Sequence, residues 1–283
     1  MSAFAGPSRA LASAAAALAL LVGASGAAAA DEAPRRVVSM NVCTDQLAML
    51  VAGEGQLVSV SWLAADPRMS AMTEEAARYP QNHGRPEEVF LLRPGLVIAG
   101  AYAGRASADM LGRLGIRVET FEPASSLEDV ADRIRQMGRV LGREERAEAI
   151  AADYEARLAR LGEEVAARPR AALYYANGYT SGDRTLAGRI MIAAGFANVA
   201  SETGHADGGV MPLEALAMAA PDLLIEGEPY PGASRSEAIL DHPAVAALRG
   251  DGGARLADSD WVCGTPFVLR AVEALARERH AAG

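Results

Sequence analysis

Two cysteines, Cys43 and Cys263, carry the sharpest chemical alternatives in this chain of 283 residues. As thiolates they could attack a bound group or hold a soft metal, whereas in an oxidising compartment they would pair as a disulfide. Cys263 stands in "DWVCGTP" (260–266) beside Trp261, one of only two tryptophans. An enzyme built on Cys263 or Asp260 would need a base within reach, and for a cysteine nucleophile His83 or His205 is the candidate base. The four histidines (His83, His205, His242, His280) show no metal-ligand spacing, and no phosphate loop, nucleophile elbow, H-E-x-x-H or paired C-x-x-C is present. What recurs instead is an aromatic pattern. Trp62, Tyr102, Tyr179, Tyr230 and Trp261 fall, like both cysteines, at the ends of expected strands or in the loops that follow. In an open α/β sheet that edge is where ligands bind, and flat side chains there offer stacking surfaces.

Those residues need a compartment and a scaffold. Met1 to Ala30 has a basic n-region (Arg9), an apolar stretch (residues 11–24) and small residues before Asp31, so it is expected to be a signal peptide cleaved near Ala30. The mature chain is then exported to the periplasm, where one disulfide between Cys43 and Cys263 is an ordinary outcome; two free thiols facing a cleft remain the alternative. Cys43 lies well past the signal, so a lipid anchor is not expected. The formal charge of −9 argues against nucleic acid or an anionic membrane as partner.

Short apolar runs rich in β-branched residues alternate with helical patterns. "RRVVSMN" opens a strand at Val37–Met40, followed by a helix with Thr44 or Asp45 as its expected N-cap. Further strands are expected at "LVSVSW", "LVIAG" and "IRVETF", then "RAALYYA", "DLLIEG" and "RLADSD", with a last helix from Pro266. Between the two groups, residues 126–168 carry only amphipathic helix, ending in a segment of about 25 residues, about 37 Å long. The expected fold is α/β: two Rossmann-like lobes with mostly parallel sheets joined by a single long α-helix. The boundaries are 1–30 signal peptide, 31–124 first lobe, 125–168 helical connector and 169–283 second lobe. An internal echo supports two halves. "PEEVFLLRPGLVIAG" (86–100) and "PLEALAMAAPDLLIEG" (212–227) share a Glu, a short apolar helix, a Pro seven residues after that Glu, and a strand, which makes Glu87 and Glu214 equivalent.

With these residues assembled, the chain resembles the periplasmic binding proteins of ABC importers for vitamin B12, iron–siderophore complexes and haem. The resemblance is carried by "RVVSMNVCTDQLAML", "EEVFLLRPGLVIAG", "PRAALYYANGYTSGDRTLAGRIMIAAG" and "SDWVCGTPFVLRAVEAL". Within the family the vitamin B12 receptors are the most similar, since "YTSG" and "SDW" match their pattern in register. The resemblance implies a solute-binding protein without catalytic activity or catalytic cofactor. It would be a monomer that captures a cobalt or iron complex, with a corrinoid favoured and haem or a ferric siderophore as the alternative. It also implies that Glu87 and Glu214 dock on an inner-membrane permease dimer, that the long helix is a stiff hinge, and that Tyr179 and Trp261 face the ligand. The candidate ligand-binding set is Cys43, Thr44, Asp45, Trp62, His83, Tyr102, Tyr179, Trp261 and Cys263, with coordination of the cargo metal by His83 or a cysteine as a narrower expectation. An exported enzyme using Cys263 is the alternative of another class. Three departures stand out: "QNHG" puts Asn82 and His83 where the B12 receptors have an aromatic wall, Trp62 is displaced from its expected position, and Gly95 replaces an Asp.

Overall fold

The β-branched run after Arg36 forms β1 (Val37–Ser39), buried along its whole length, and the chain turns at once into α1 (Val42–Val51). The cap of α1 is Asn41 rather than Thr44 or Asp45: its Oδ1 accepts from the Cys43 and Thr44 amides at 3.1 and 3.4 Å. Asn caps a helix as well as Thr or Asp, and it stands one turn earlier. Cys43, Thr44 and Asp45 therefore lie in the first helical turn and not in a loop.

β2 (Leu57–Ser61), α2 (Thr73–Ala76), β3 (Gln81–Asn82), α3 (Pro86–Leu91), β4 (Leu96–Gly100), α4 (Arg105–Arg113) and β5 (Val118–Phe121) complete the first half. Its parallel strands run in the order β3-β2-β1-β4-β5. Two helices follow, α5 (Leu127–Leu141) and α6 (Glu144–Leu161). The second half contains β6 (Arg170–Leu173), β7 (Tyr179–Thr180), α7 (Leu186–Ala193), β8 (Ala197–Asn198), α8 (Val199–Glu202) and β9 (Gly209–Val210). It closes with α9 (Leu213–Ala219), β10 (Leu223–Gly227), α10 (Pro243–Arg249), β11 (Ala254–Leu256) and α11 (Val268–Ala282). Its main sheet is parallel in the order β11-β10-β6-β8, and β7 and β9 form a separate antiparallel pair. The computed structural model describes residues 33–161, 167–229, 232, 234–249 and 253–282, with Met1; the expected signal segment and Tyr230 lie outside the described residues.

Two sequence expectations change in form. The long segment to Arg168 is observed as α6, 18 residues to Leu161, with 162–166 outside the description, and it pairs as an antiparallel hairpin with α5. A capping box at Ser126 and Asp129 starts α5, Gly142 at φ 62° ends it, and Arg135 grips both Glu148 and Glu155 of α6. The expected strand "RLADSD" stops at Leu256, and Asp258–Asp260 form a 3-10 turn that delivers Trp261.

The two sheets do not have separate cores on their facing sides. Leu47 of α1, Ile134 and Met137 of α5, Tyr154 of α6, Ile190 of α7 and Val272 of α11 belong to one continuous apolar cluster, all nearly inaccessible to solvent. Ala33–Gly283 form one compact unit. A bundle of helices thus fixes the sheets to each other, which leaves little freedom for wide hinge motion.

Candidate functional site

The carboxyl ends of β1 and β11 meet at a disulfide that joins the halves. Cys43, at the second position of α1, is bonded to Cys263 in the loop between the Asp258–Asp260 turn and α11, with Cα atoms 5.0 Å apart. This settles the alternatives that composition left open: neither sulfur is a thiolate, and Cys263 is 1% exposed. An enzyme using Cys263 as nucleophile has no thiol to use, and neither sulfur is free to grip a soft metal.

On either side of the ridge formed by Trp261–Gly264 lies a cavity. The smaller, about 180 Å³, belongs to the first half and is lined by Cys43, Thr44, Tyr102, Phe121 and Val262, among others. Thr44 contributes only its buried edge, since its hydroxyl is bonded within the loop to the Asn41 carbonyl at 2.9 Å and to Ser39 Oγ at 2.8 Å. Tyr102 is largely exposed. The larger cavity, about 320 Å³, belongs mainly to the second half and is lined by Tyr175, Tyr179, Trp261, Asp258, Glu228 and Glu237, with Met69 from the first. Nearby, Arg68 spans the halves by donating to the Pro229 carbonyl at 2.9 Å. A further cavity of about 390 Å³ beside β10 has no aromatic lining among the described residues and contains the ion pair of Glu226 with Arg249, at 2.5 Å.

Trp261 packs on Tyr175, with ring centroids 5.3 Å apart and planes 16° from parallel. Among the described residues Tyr175 Oη is buried without a hydrogen-bond partner, whereas the Trp261 indole faces the Asp258 carboxyl. Burial holds the Tyr175 phenol well above its usual pKa, so it remains a neutral donor. The Asp258 carboxyl beside them is raised by burial and by Glu228, against the pull of the Trp261 indole and Arg68. Asp260 is also raised by burial, with Arg270 opposing. The wall therefore combines aromatic faces, an idle phenol donor and a row of carboxylates.

Asp45 does not reach either cavity. It is fully buried, and Oδ2 accepts from the Ser61 amide at 3.1 Å and from the Ser61 hydroxyl, with the Ser39 hydroxyl also pulling on the carboxyl. Burial raises its pKa to about 6 despite those bonds. Its place is structural, pinning the end of β2 just before Trp62, and as a ligand contact it is corrected by the inward direction of the first turn of α1. Trp62 is half-exposed and lies near-parallel to the His83 ring at 6.4 Å.

Glu87 and Glu214 are exposed second residues of α3 and α9. The echo between the halves extends to the atoms. Each short helix ends at a non-glycine residue of positive φ, Arg93 at 48° and Ala220 at 45°, just before Pro94 and Pro221. Each end is held by an arginine at the start of the half's first strand: Arg36 Nε donates to the Arg93 carbonyl at 3.1 Å, and Arg170 Nη1 to the Ala219 carbonyl at 2.7 Å. The same two arginines accept at their carbonyls from Gly95 and Asp222. Gly95 has its own reason, because a Cβ there would sit 2.5 Å from the Arg35 carbonyl oxygen. Replacing Gly95 with Ala should thus cost about 1–3 kcal/mol of stability as the backbone gives way, read as a lower denaturation midpoint at unchanged slope.

Sequence reasoning missed Tyr175, Asp258, Glu228 and Glu237. Tyr175 in "LYYA" reads as a strand residue, and only its place two residues after the end of β6 could have marked it; Asp258, three residues before Trp261, was visible in "DSDW".

A family model described as periplasmic binding protein matches residues 37–249. The chain belongs to the periplasmic binding protein family. A curated cobalamin-binding protein of Halobacterium salinarum is 30% identical over 177 residues, 61% of this chain and 48% of that protein, so the chain spans about half the length of the curated relatives it matches. Among solved structures, a periplasmic haem-binding protein from Pseudomonas aeruginosa is similar with a TM-score of 0.69 at 26% identity, covering 88% of this chain and 92% of that one. The periplasmic vitamin B12 binding protein BtuF of Vibrio cholerae has a TM-score of 0.67 at 19% identity, covering 88% of this chain and 98% of that one. The family and these neighbours are binding proteins, not enzymes, and their sheet architecture is the one described above. Among the described residues no helix is long and apolar enough to cross a membrane.

Proposed function

We propose that this periplasmic binding protein captures a cobalamin or related corrinoid in the cleft between its halves and delivers it, as a monomer in the periplasm, to the permease of an ABC importer. The observation that carries the ligand class is the Trp261–Tyr175 wall. Among the described residues its buried Tyr175 phenol lacks an acceptor, while Asp258 and Glu228 beside it are carboxylates. A primary carboxamide answers both, its carbonyl taking the phenol proton and its NH2 donating to a carboxylate. Corrinoids carry such amides around their rim, whereas haem would bring two propionates toward a row of carboxylates. The curated cobalamin-binding relative agrees with this preference.

Docking rests on α3 and α9. Glu87 and Glu214 point outward from equivalent helices, and one turn beyond each is a strongly exposed apolar side chain, Leu91 at 79% and Met218 at 87%. Two matched acidic and apolar patches fit a partner that presents basic residues twice.

Equilibrium binding tests the reading. Cyanocobalamin should bind with micromolar or tighter affinity, about −8 kcal/mol or better, and Trp261→Ala should weaken it about tenfold or more. Retention of ferric protoporphyrin IX with no binding of any corrinoid would reassign the ligand to haem.

A further inference from the structure

The cavity of the first half contains a cation that the Trp261–Tyr175 wall does not use. Arg133, in the second turn of α5, lines it together with Tyr102, Phe121 and Val262. Its Nη1 donates to Gln136 Oε1 at 2.6 Å, one turn further along the helix, and Gln136 Nε2 in turn donates to the Thr120 carbonyl at 3.3 Å. A neutral amide, itself tied to the end of β5, therefore holds the guanidinium in place. Nε is buried and has no hydrogen-bond partner, and among the described residues no carboxylate pairs with Arg133. Glu122 lines the same cavity but is exposed and makes no bond to it.

A buried donor on a charged group is costly to leave without an acceptor, so its place in the fold calls for a reason. Nε and Nη2 form one edge of the planar guanidinium, and that edge stays open once Nη1 is committed to Gln136. Such an edge matches two oxygens of one oxyanion and binds them as a fork. Among the described lining residues of the two cavities beside the ridge, Arg133 is the only cation. Val262 lines both cavities, so a ligand stacked on the Trp261–Tyr175 wall can lie across it and lay a side arm beside Arg133. The first-half cavity, about 180 Å³, is smaller than the roughly 300 Å³ at which pockets for whole ligands begin, and suits an arm rather than a ring. We propose that Arg133 is a specificity-determining residue of an oxyanion subsite, which takes the phosphodiester in the nucleotide arm of a cobalamin. The inference rests on the corrinoid reading of the cargo. No covalent bond changes: the phosphodiester exchanges water for the Nε–Nη2 edge.

The test compares cyanocobalamin with dicyanocobinamide, which has the same ring and rim amides but lacks the nucleotide arm and its phosphodiester. Equilibrium dialysis reads the dissociation constant of each. Wild-type protein should bind cyanocobalamin about tenfold or more tighter than dicyanocobinamide. Arg133→Met, which keeps the length of the side chain, and Arg133→Gln, which keeps its polarity, should each lower the affinity for cyanocobalamin to that for dicyanocobinamide. Dicyanocobinamide itself should bind both variants as it binds the wild type, which also shows that fold and cleft are intact. Equal affinity of the wild type for the two corrinoids, or a preference that survives in the Arg133 variants, overturns the proposal and leaves the receptor reading standing. So does an equal loss of both ligands in a variant that unfolds as cooperatively as the wild type. Retention of neither corrinoid by the wild type overturns the proposal together with the corrinoid assignment.

Discussion

Replacing Cys43 and Cys263 together with serine should lower the free energy of unfolding by about 5 kcal/mol, the loop-closure entropy of a cross-link spanning 220 residues. Few single bonds in a protein of this size constrain so much chain, because the bridge ties the first helix to the segment before the last. The effect belongs mainly to the unfolded ensemble. In the folded protein the halves are already joined by the continuous cluster of α1, α5, α6, α7 and α11, so the double variant should keep its fold and unfold in a single transition. Denaturant unfolding of oxidised wild type and the double variant measures the difference, and a loss below about 1 kcal/mol would mean that the bridge constrains little. The ligand site should feel the change as well. Trp261 and Val262 lie on the ridge that Cys263 anchors, and without the bond that ridge is held on the first half's side only by packing such as that of Gly264 against Ala124.

This dependence shows what the sequence made legible and what it did not. The α/β alternation and the equivalence of Glu87 with Glu214 could be read because they rest on local signals: β-branched runs, helical spacing, and a proline at a fixed distance from a glutamate. The reason Gly95 departs from the family residue could not, since the Arg35 carbonyl that excludes a side chain comes from a different segment of the chain. The strands β3, β7 and β9, two residues each, carry no period at all. Among the site residues, the strand-end rule expected a single cleft; Tyr179 and Trp261 line one cavity and Cys43 and Tyr102 another. Asp45, read from the sequence as a possible N-cap, is not the cap, because the cap that starts α1 lies at Asn41 and leaves that carboxyl buried in the first turn. The bond between the cysteines required both corners to be placed in space.

The inward turn of Asp45 has a measurable consequence. Its folded pKa of about 6 lies above the ordinary aspartate value of 3.8, so between those two values the folded state holds a proton that the unfolded state has released. Stability from this group is fully present below pH 4, declines as pH rises toward 6, and is lost above it. The total is about 3 kcal/mol at 1.36 kcal/mol per pH unit. Other carboxylates work in the opposite direction: Glu88 and Asp129 are held below their usual range by hydrogen bonds and stabilise the fold once ionised. The wild-type curve alone therefore mixes both signs, and the comparison with Asp45→Asn isolates one. Asn can keep accepting from Ser61 through its carbonyl and never ionises. The stability of Asp45→Asn relative to wild type should rise by about 3 kcal/mol between pH 4 and pH 7 and then stay level. Unfolding titrations at four or five pH values supply the curve. A difference that does not change with pH would mean that Asp45 ionises in the fold as easily as in the open chain, with water reaching its Oδ1.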